Sequence, residues 1–188
     1  MTTASTSSFS APLNAWLVDG VRTPMVDYCG PLGHVSPTDM GIKVARAVLA
    51  RSGVPDLVIA NAGVAGGFDT AQAGDLATLR RMLEINLLGV ATTFQPFLQT
   101  MLDEQKPGAL VGVASIAGWR GMPGNGAYCA SKAGLIAYLQ SLRAELRQSR
   151  IRVHTVSPGY LRTALTAGNT FAMPGLMAPD DAARALLQ

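Results

Sequence analysis

Ser115, Tyr128 and Lys132, in the run SIAGWRGMPGNGAYCASK, have the types and spacing of a proton-transfer site. At neutral pH a phenol titrating near ~10 and an amine near ~10.4 are each poor acids or bases on their own. A fixed ammonium beside the phenol favours the phenolate, so Lys132 is expected to lower the Tyr128 pKa toward working pH. The two residues are four apart in a segment of helical character, which places them on one helical face about one turn from each other. Ser115 follows the apolar run ALVGVA, which reads as a buried strand. Polar side chains at strand ends are where open α/β sheets hold ligands. Its hydroxyl would donate to a substrate oxygen while Tyr128 moves the proton.

The elements that must position these groups alternate along the chain. Strands are expected near 15 to 21, 56 to 61, 109 to 114 and 151 to 156. The first helix has a start signal in Ser36 as N-cap, Pro37 at the first helical position and Asp39 in the first turn, and Gly53 ends it. A second helical region runs from about 75 to 104 with a kink at Pro96, a third from about 126 to 148, and residues 180 to 188 read as a helix. In the second, Leu79, Leu83, Val90, Phe94, Phe97 and Met101 recur at helical spacing, and Asn86 falls inside that apolar stripe. A buried amide must be hydrogen-bonded, whether its role is functional or structural.

With these elements in place, the chain resembles the short-chain dehydrogenase/reductase family over roughly residues 55 to 188. Beside Ser115, Tyr128 and Lys132, three segments stand in that family's order: Asn61-Ala62-Gly63 after Leu57–Ala60, Asn86 in LEINLLGV, and Ser157-Pro158-Gly159-Tyr160-Leu161-Arg162-Thr163 after the strand Ile151–Val156. The resemblance implies hydride transfer between NAD or NADP and a secondary alcohol or ketone. It makes Tyr128 the general acid or base, Ser115 the holder of the substrate oxygen, and Lys132 a contact to the nicotinamide ribose. It makes Asn86 the anchor of a water linking Lys132 to solvent. Asn61, Ala62 and Gly63 would form the floor under the cofactor, and Pro158, Gly159, Leu161 and Thr163 would meet its nicotinamide end. Ala164 to Met177 takes the place of the substrate lid.

The family's opening Gly-rich turn, T-G-x-x-x-G-x-G, has no counterpart among the glycines here, and the residue that would read the adenosine ribose is missing with it. Each lost charge-assisted bond is worth roughly 1.5 to 3 kcal/mol, so losing about three weakens cofactor binding by some three to six decades. Residues 13 to 54 instead resemble the amino-terminal strand and helix of a thiolase, around Val21-Arg22-Thr23-Pro24, with a join near Gly53 to Asp56. That opening brings no thiolase chemistry with it. Cys29 lies in a Gly/Pro loop without a basic neighbour to form its thiolate, Cys129 reads as a small apolar residue, and His34 and His154 lack partners at metal-ligand spacing.

Composition fits one α/β domain over residues 13 to 188, preceded by a disordered polar tail, MTTASTSSFSAP. Over 188 residues, 48% are hydrophobic and 14% charged, enough for a sizeable core. Two cysteines make no disulfide framework, no apolar run reaches the ~18 to 20 residues of a membrane span, and no secretory signal opens the chain. These features point to a cytoplasmic protein. The net charge of +3 is spread over solvated faces, with Glu145 among Arg143, Arg147 and Arg150, which does not indicate a nucleic-acid surface.

The expected fold is a Rossmann-like, mainly parallel sheet with crossover helices, incomplete relative to the family. If its strands pair in sequence order, right-handed crossovers put every helix on one face. Leu57–Ala60 and Ala109–Val111 nevertheless read as strands buried on both faces. An apolar sheet face open to self-association is therefore expected, and a homo-oligomer with it. Three functions follow: an alcohol/ketone oxidoreductase, weakly active at most; a non-catalytic association module; and a thiolase-like acyltransferase fragment.

Overall fold

The computed structural model describes residues 37–69, 71–72 and 74–186. The expected tail, the strand at 15 to 21, the Ser36 cap, the Val21 to Pro24 motif, Cys29 and His34 lie outside the described residues.

Helix α1 (Pro37–Ser52) ends where expected, at Gly53, whose φ of +72° and N–H donation to the Leu49 carbonyl close the last turn. Strands β1 (Leu57–Ala60), β2 (Gly108–Val113) and β3 (Ile151–Val156) form a parallel sheet in the order β1-β2-β3. The apolar, β-branched runs that made these segments legible as strands also supply their pairing surfaces. Helices α2 (Asp75–Leu83) and α3 (Gly89–Asp103) connect β1 to β2, α4 (Gly126–Glu145) connects β2 to β3, and α5 (Pro179–Leu186) follows the sheet.

The second helical region is one rod with an internal irregularity. That irregularity is a π-helical turn over Glu84–Leu88, and α3 runs with Pro96 in its interior to Asp103. A π turn adds a residue to the helical circuit and is common where a functional side chain must be re-aimed. Here that side chain is Asn86.

All three strands bury the same face. Val58, Ala60, Leu110, Ile151 and Val153 join Phe94, Phe97 and Met101 of α3 and Leu135, Leu139 and Leu142 of α4 in one core, with Ala45 of α1 at its margin. Each fully buried large side chain contributes roughly 1.5 to 3 kcal/mol relative to exposure. The opposite face is different. Leu57 and Ile59 stand 50% and 55% exposed, and Arg152 and His154 of β3 are exposed too. The expectation that β1 and β2 are buried on both faces is corrected: among the described residues, pairing in sequence order puts the helices on one side only.

Candidate active site

Parallel strands end on one side of the sheet, and the polar residues that follow them converge there. β1 runs into Asn61-Ala62-Gly63, β2 into Ala114-Ser115, and β3 into Ser157-Pro158-Gly159. Hydrogen bonding between the last two continues past the strands, from Ala114 N to the Val156 carbonyl at 2.7 Å and from Ile116 N to the Pro158 carbonyl at 3.1 Å. This extension holds Pro158-Gly159 beside Ser115. A crevice of about 560 Å³ opens at the junction, lined by Asn61, Gly63, Ser115, Tyr128, Lys132, Pro158, Gly159, Leu161 and Thr163 among others.

Ser115 is extended, with φ −169°, and its Oγ accepts from Ala117 N at 3.2 Å, starting a short 3-10 turn over Ile116–Gly118. That turn lies against α4. A Cβ on Gly118 would meet Ile136 Cδ1 at 2.6 Å and the Lys132 carbonyl carbon and oxygen at 2.8 and 2.9 Å. Only glycine lets the strand end approach the helix backbone this closely, and the approach brings Ser115 to the residues that α4 carries.

Tyr128 and Lys132 lie on the first turns of α4, with Lys132 Nζ 5.9 Å from the centre of the Tyr128 ring. Ser115 and Tyr128 line the same crevice. Lys132 is 4% exposed, and its Nζ donates to the Val113 carbonyl at 2.7 Å. Burial pushes the Tyr128 phenol above its ordinary value of 10.0; the Ser115 side chain pulls it down, and Cys129 adds a smaller upward push. Burial also lowers Lys132 from 10.5 to about 8. The expected lowering of the tyrosine pKa by the lysine is therefore corrected. Desolvation of the phenol is the largest influence on it, and the Lys132 amine is aimed at the Val113 carbonyl.

Asn86 is fully buried, and its amide is spent within the protein. Its Oδ1 accepts from Val64 N at 2.8 Å, and its Nδ2 donates to the Val64 carbonyl at 2.9 Å and to Ser131 Oγ at 3.0 Å. The side chain clamps the turn after β1, and both amide hydrogens go to protein atoms. Gly63 sits directly above: a Cβ there would lie 3.3 Å from Asn86 Oδ1 and 3.5 Å from Lys132 Nζ. The missing side chain leaves space over the lysine amine, and on this observation the site fits the nicotinamide end of a dinucleotide.

Of the expected cofactor residues, Asn61, Gly63, Tyr128, Lys132, Pro158, Gly159, Leu161 and Thr163 line the crevice, whereas Ala62 does not. Ser131 was not legible as a site residue, although it bridges Asn86 and the Tyr128 carbonyl, to which its Oγ donates at 2.8 Å. The segment after β3 is tied back by a parallel bridge between Leu161 and Met177, with Arg162 N donating to the Met177 carbonyl at 2.9 Å and Met177 N to the Tyr160 carbonyl at 3.0 Å. Among the described residues no three His, Cys, Asp or Glu side chains are grouped to hold a metal, and no helix is long and apolar enough to cross a membrane.

A serine, a tyrosine and a lysine are gathered at the carboxyl edge of a parallel sheet with helices on one face, in a Rossmann-like fold. The short chain dehydrogenase family profile matches residues 32–172, and the chain belongs to that family. The match starts ahead of the boundary expected near residues 53 to 56, so α1 belongs with the dehydrogenase segment. An uncharacterized oxidoreductase of Myxococcus xanthus is 43% identical over 148 residues, 79% of this chain and 58% of the relative. A short-chain dehydrogenase/reductase of Hericium erinaceus is 33% identical over 147 residues, 73% of this chain and 54% of its own. A short chain dehydrogenase of Burkholderia cenocepacia, solved in complex with NADP, superposes with a TM-score of 0.69 at 27% identity, covering 80% of this chain and 60% of that one. The chain thus spans little more than half the length of these curated relatives.

Proposed function

We propose that this chain carries the catalytic segment of an NAD(P)-dependent oxidoreductase that interconverts a ketone and a secondary alcohol. The observation that supports it most is Ser115, Tyr128 and Lys132 gathered in one crevice, with the Lys132 amine 5.9 Å from the Tyr128 ring centre. When bound, the nicotinamide supplies or accepts the hydride. The residues of the chain handle the oxygen and its proton.

With its pKa raised, Tyr128 stays protonated through the neutral range and acts as the acid: its phenol gives a proton to the carbonyl oxygen as that oxygen becomes an alkoxide. Ser115 donates its one hydroxyl hydrogen to the same oxygen. Lys132 stabilises that phenolate and returns the proton, a task suited to an amine titrating at about 8. Asn61, Gly63, Pro158, Gly159, Leu161 and Thr163 line the space for the nicotinamide, and Asn86 and Ala62 act from behind it by shaping the turn after β1.

The remaining parts of this reading extend it. The likeness of residues 13 to 54 to a thiolase opening overlaps the dehydrogenase match from residue 32 onward; the chain lacks a Gly-rich pyrophosphate turn, and cofactor binding is weak. The protein works in the cytoplasm and self-associates, an idea favoured by the exposure of Leu57 and Ile59. An acyltransferase role through Cys129 is disfavoured, because that thiol is buried. The test is titration with NADH and NADPH followed by ketone reduction. Tyr128→Phe should lose about 10²- to 10⁴-fold in kcat. Undiminished turnover in that variant would sink the proposal.

A further inference from the structure

We infer that the substrate end of this crevice selects neutral, ring-bearing ketones and their alcohols over carboxylated or phosphorylated ones, an inference that rests on the oxidoreductase reading above. With the positions assigned to the cofactor and the proton-transfer trio set aside, the wall is built from Ile116, Met122, Pro123, Tyr160, Leu165 and Phe171. Ile116, Leu165 and Phe171 are 50%, 53% and 51% exposed, so a large part of their apolar surface is left for a ligand to cover. Tyr160 and Phe171 meet edge to face, with ring centres 6.1 Å apart at 62°. Flat or puckered rings pack well against such a pair.

Several polar groups at this wall are already engaged within the protein. Asn125 Nδ2 donates to the Pro123 carbonyl at 3.4 Å and Asn169 Nδ2 to Met173 Sδ at 3.4 Å, while Thr166 Oγ1 bonds with Leu161 and Thr163. Lys132 is the cation among the described lining residues, and its Nζ is held by the Val113 carbonyl. Arg120 and Arg162 are near in sequence, yet both are exposed and neither lines the crevice. An anionic substituent would lose its water here without gaining a charged partner, which is costly.

Two ketones of similar size decide the matter: 4-methylcyclohexanone and 4-oxocyclohexanecarboxylate, the second carrying the carboxylate found in the substrate named for a relative from Sinomonas cyclohexanicum, 39% identical over 119 residues. Binding is read by saturation-transfer NMR on the full chain, and turnover separately with NADH and NADPH. The neutral ketone should bind at least about tenfold more tightly. Leu165→Lys, at an exposed position that the fold does not need, should narrow or reverse that ratio. Equal or tighter binding of the carboxylate by the parent, or no binding of either ketone, overturns the inference. The expected binding ratio without turnover on any cofactor overturns the oxidoreductase reading and leaves the pocket preference standing.

Discussion

Asn86 donates an amide hydrogen to Ser131 Oγ at 3.0 Å, and Ser131 passes the connection on to the Tyr128 backbone carbonyl at 2.8 Å. The turn after β1 and the helix that carries the acid are thereby fixed to each other through two buried side chains. Ser131→Ala removes the acceptor and leaves an Nδ2 hydrogen of Asn86 buried without a partner, which costs about 1 to 3 kcal/mol. Asn86→Ala releases Val64 as well and should cost more. Urea unfolding of both variants checks the order, and equal midpoints for Ser131→Ala and the parent would contradict it.

Ser115 opposes the upward push that burial exerts on Tyr128. In Ser115→Ala that opposition is gone, so the phenol should titrate at still higher pH. Ultraviolet difference titration of the tyrosines, with Tyr128→Phe to assign the signal, reads this directly.

Lys132 has its pKa lowered in the fold, from 10.5 to about 8. Between these values the unfolded chain holds a proton that the folded one has released, so stability should rise with pH from about 8 toward 10.5. Below about 8 the buried ammonium carries its full penalty, at most roughly 3 kcal/mol. Lys132→Met should flatten this rise. Denaturation midpoints across that window in parent and variant provide the comparison, and a parent that loses stability between pH 8 and 10 contradicts the assignment.

Gly118→Ala places a methyl group within 3 Å of the α4 backbone at Lys132. Backbone cannot step aside as a side-chain tip can, so the cost should be about 1 to 3 kcal/mol, with Ser115 displaced from Tyr128. Loss of kcat beyond the loss of folded protein would report that displacement.

Ile59 stands 55% exposed on the helix-free face of β1. Ile59→Lys should change stability by no more than about 0.5 kcal/mol while reducing self-association in sedimentation velocity. Val58→Lys, on the buried face of the same strand, should unfold the protein.

Much of this was legible from residue order. Strands β1, β2 and β3 declared themselves as apolar runs bounded by turn residues, and α1 by Pro37 and Gly53, because these signals are local. The Tyr128–Lys132 spacing was legible for the same reason. What escaped depends on contacts between distant segments. The π turn at Glu84–Leu88 has no signature in residue types, and Ser131 matters only because Asn86 arrives from 45 positions away. Gly118 looks like any loop glycine until α4 lies against it. One-sided burial of β1 was hidden because Leu57 and Ile59 are as apolar as Val58 and Ala60. The direction of the Tyr128 shift was misjudged because sequence reveals a charged neighbour but not how much water is lost.

The two hydrogen bonds that run on past β2 and β3, at Ala114 and Ile116, set a timetable for biosynthesis. Ser115 has no neighbour at Pro158 until the ribosome has made both, and a parallel pairing of this kind forms slowly because its partners are so far apart along the thread. A nascent chain paused before that proline would own its acid, its amine and its hydroxyl, yet have no finished place to use them.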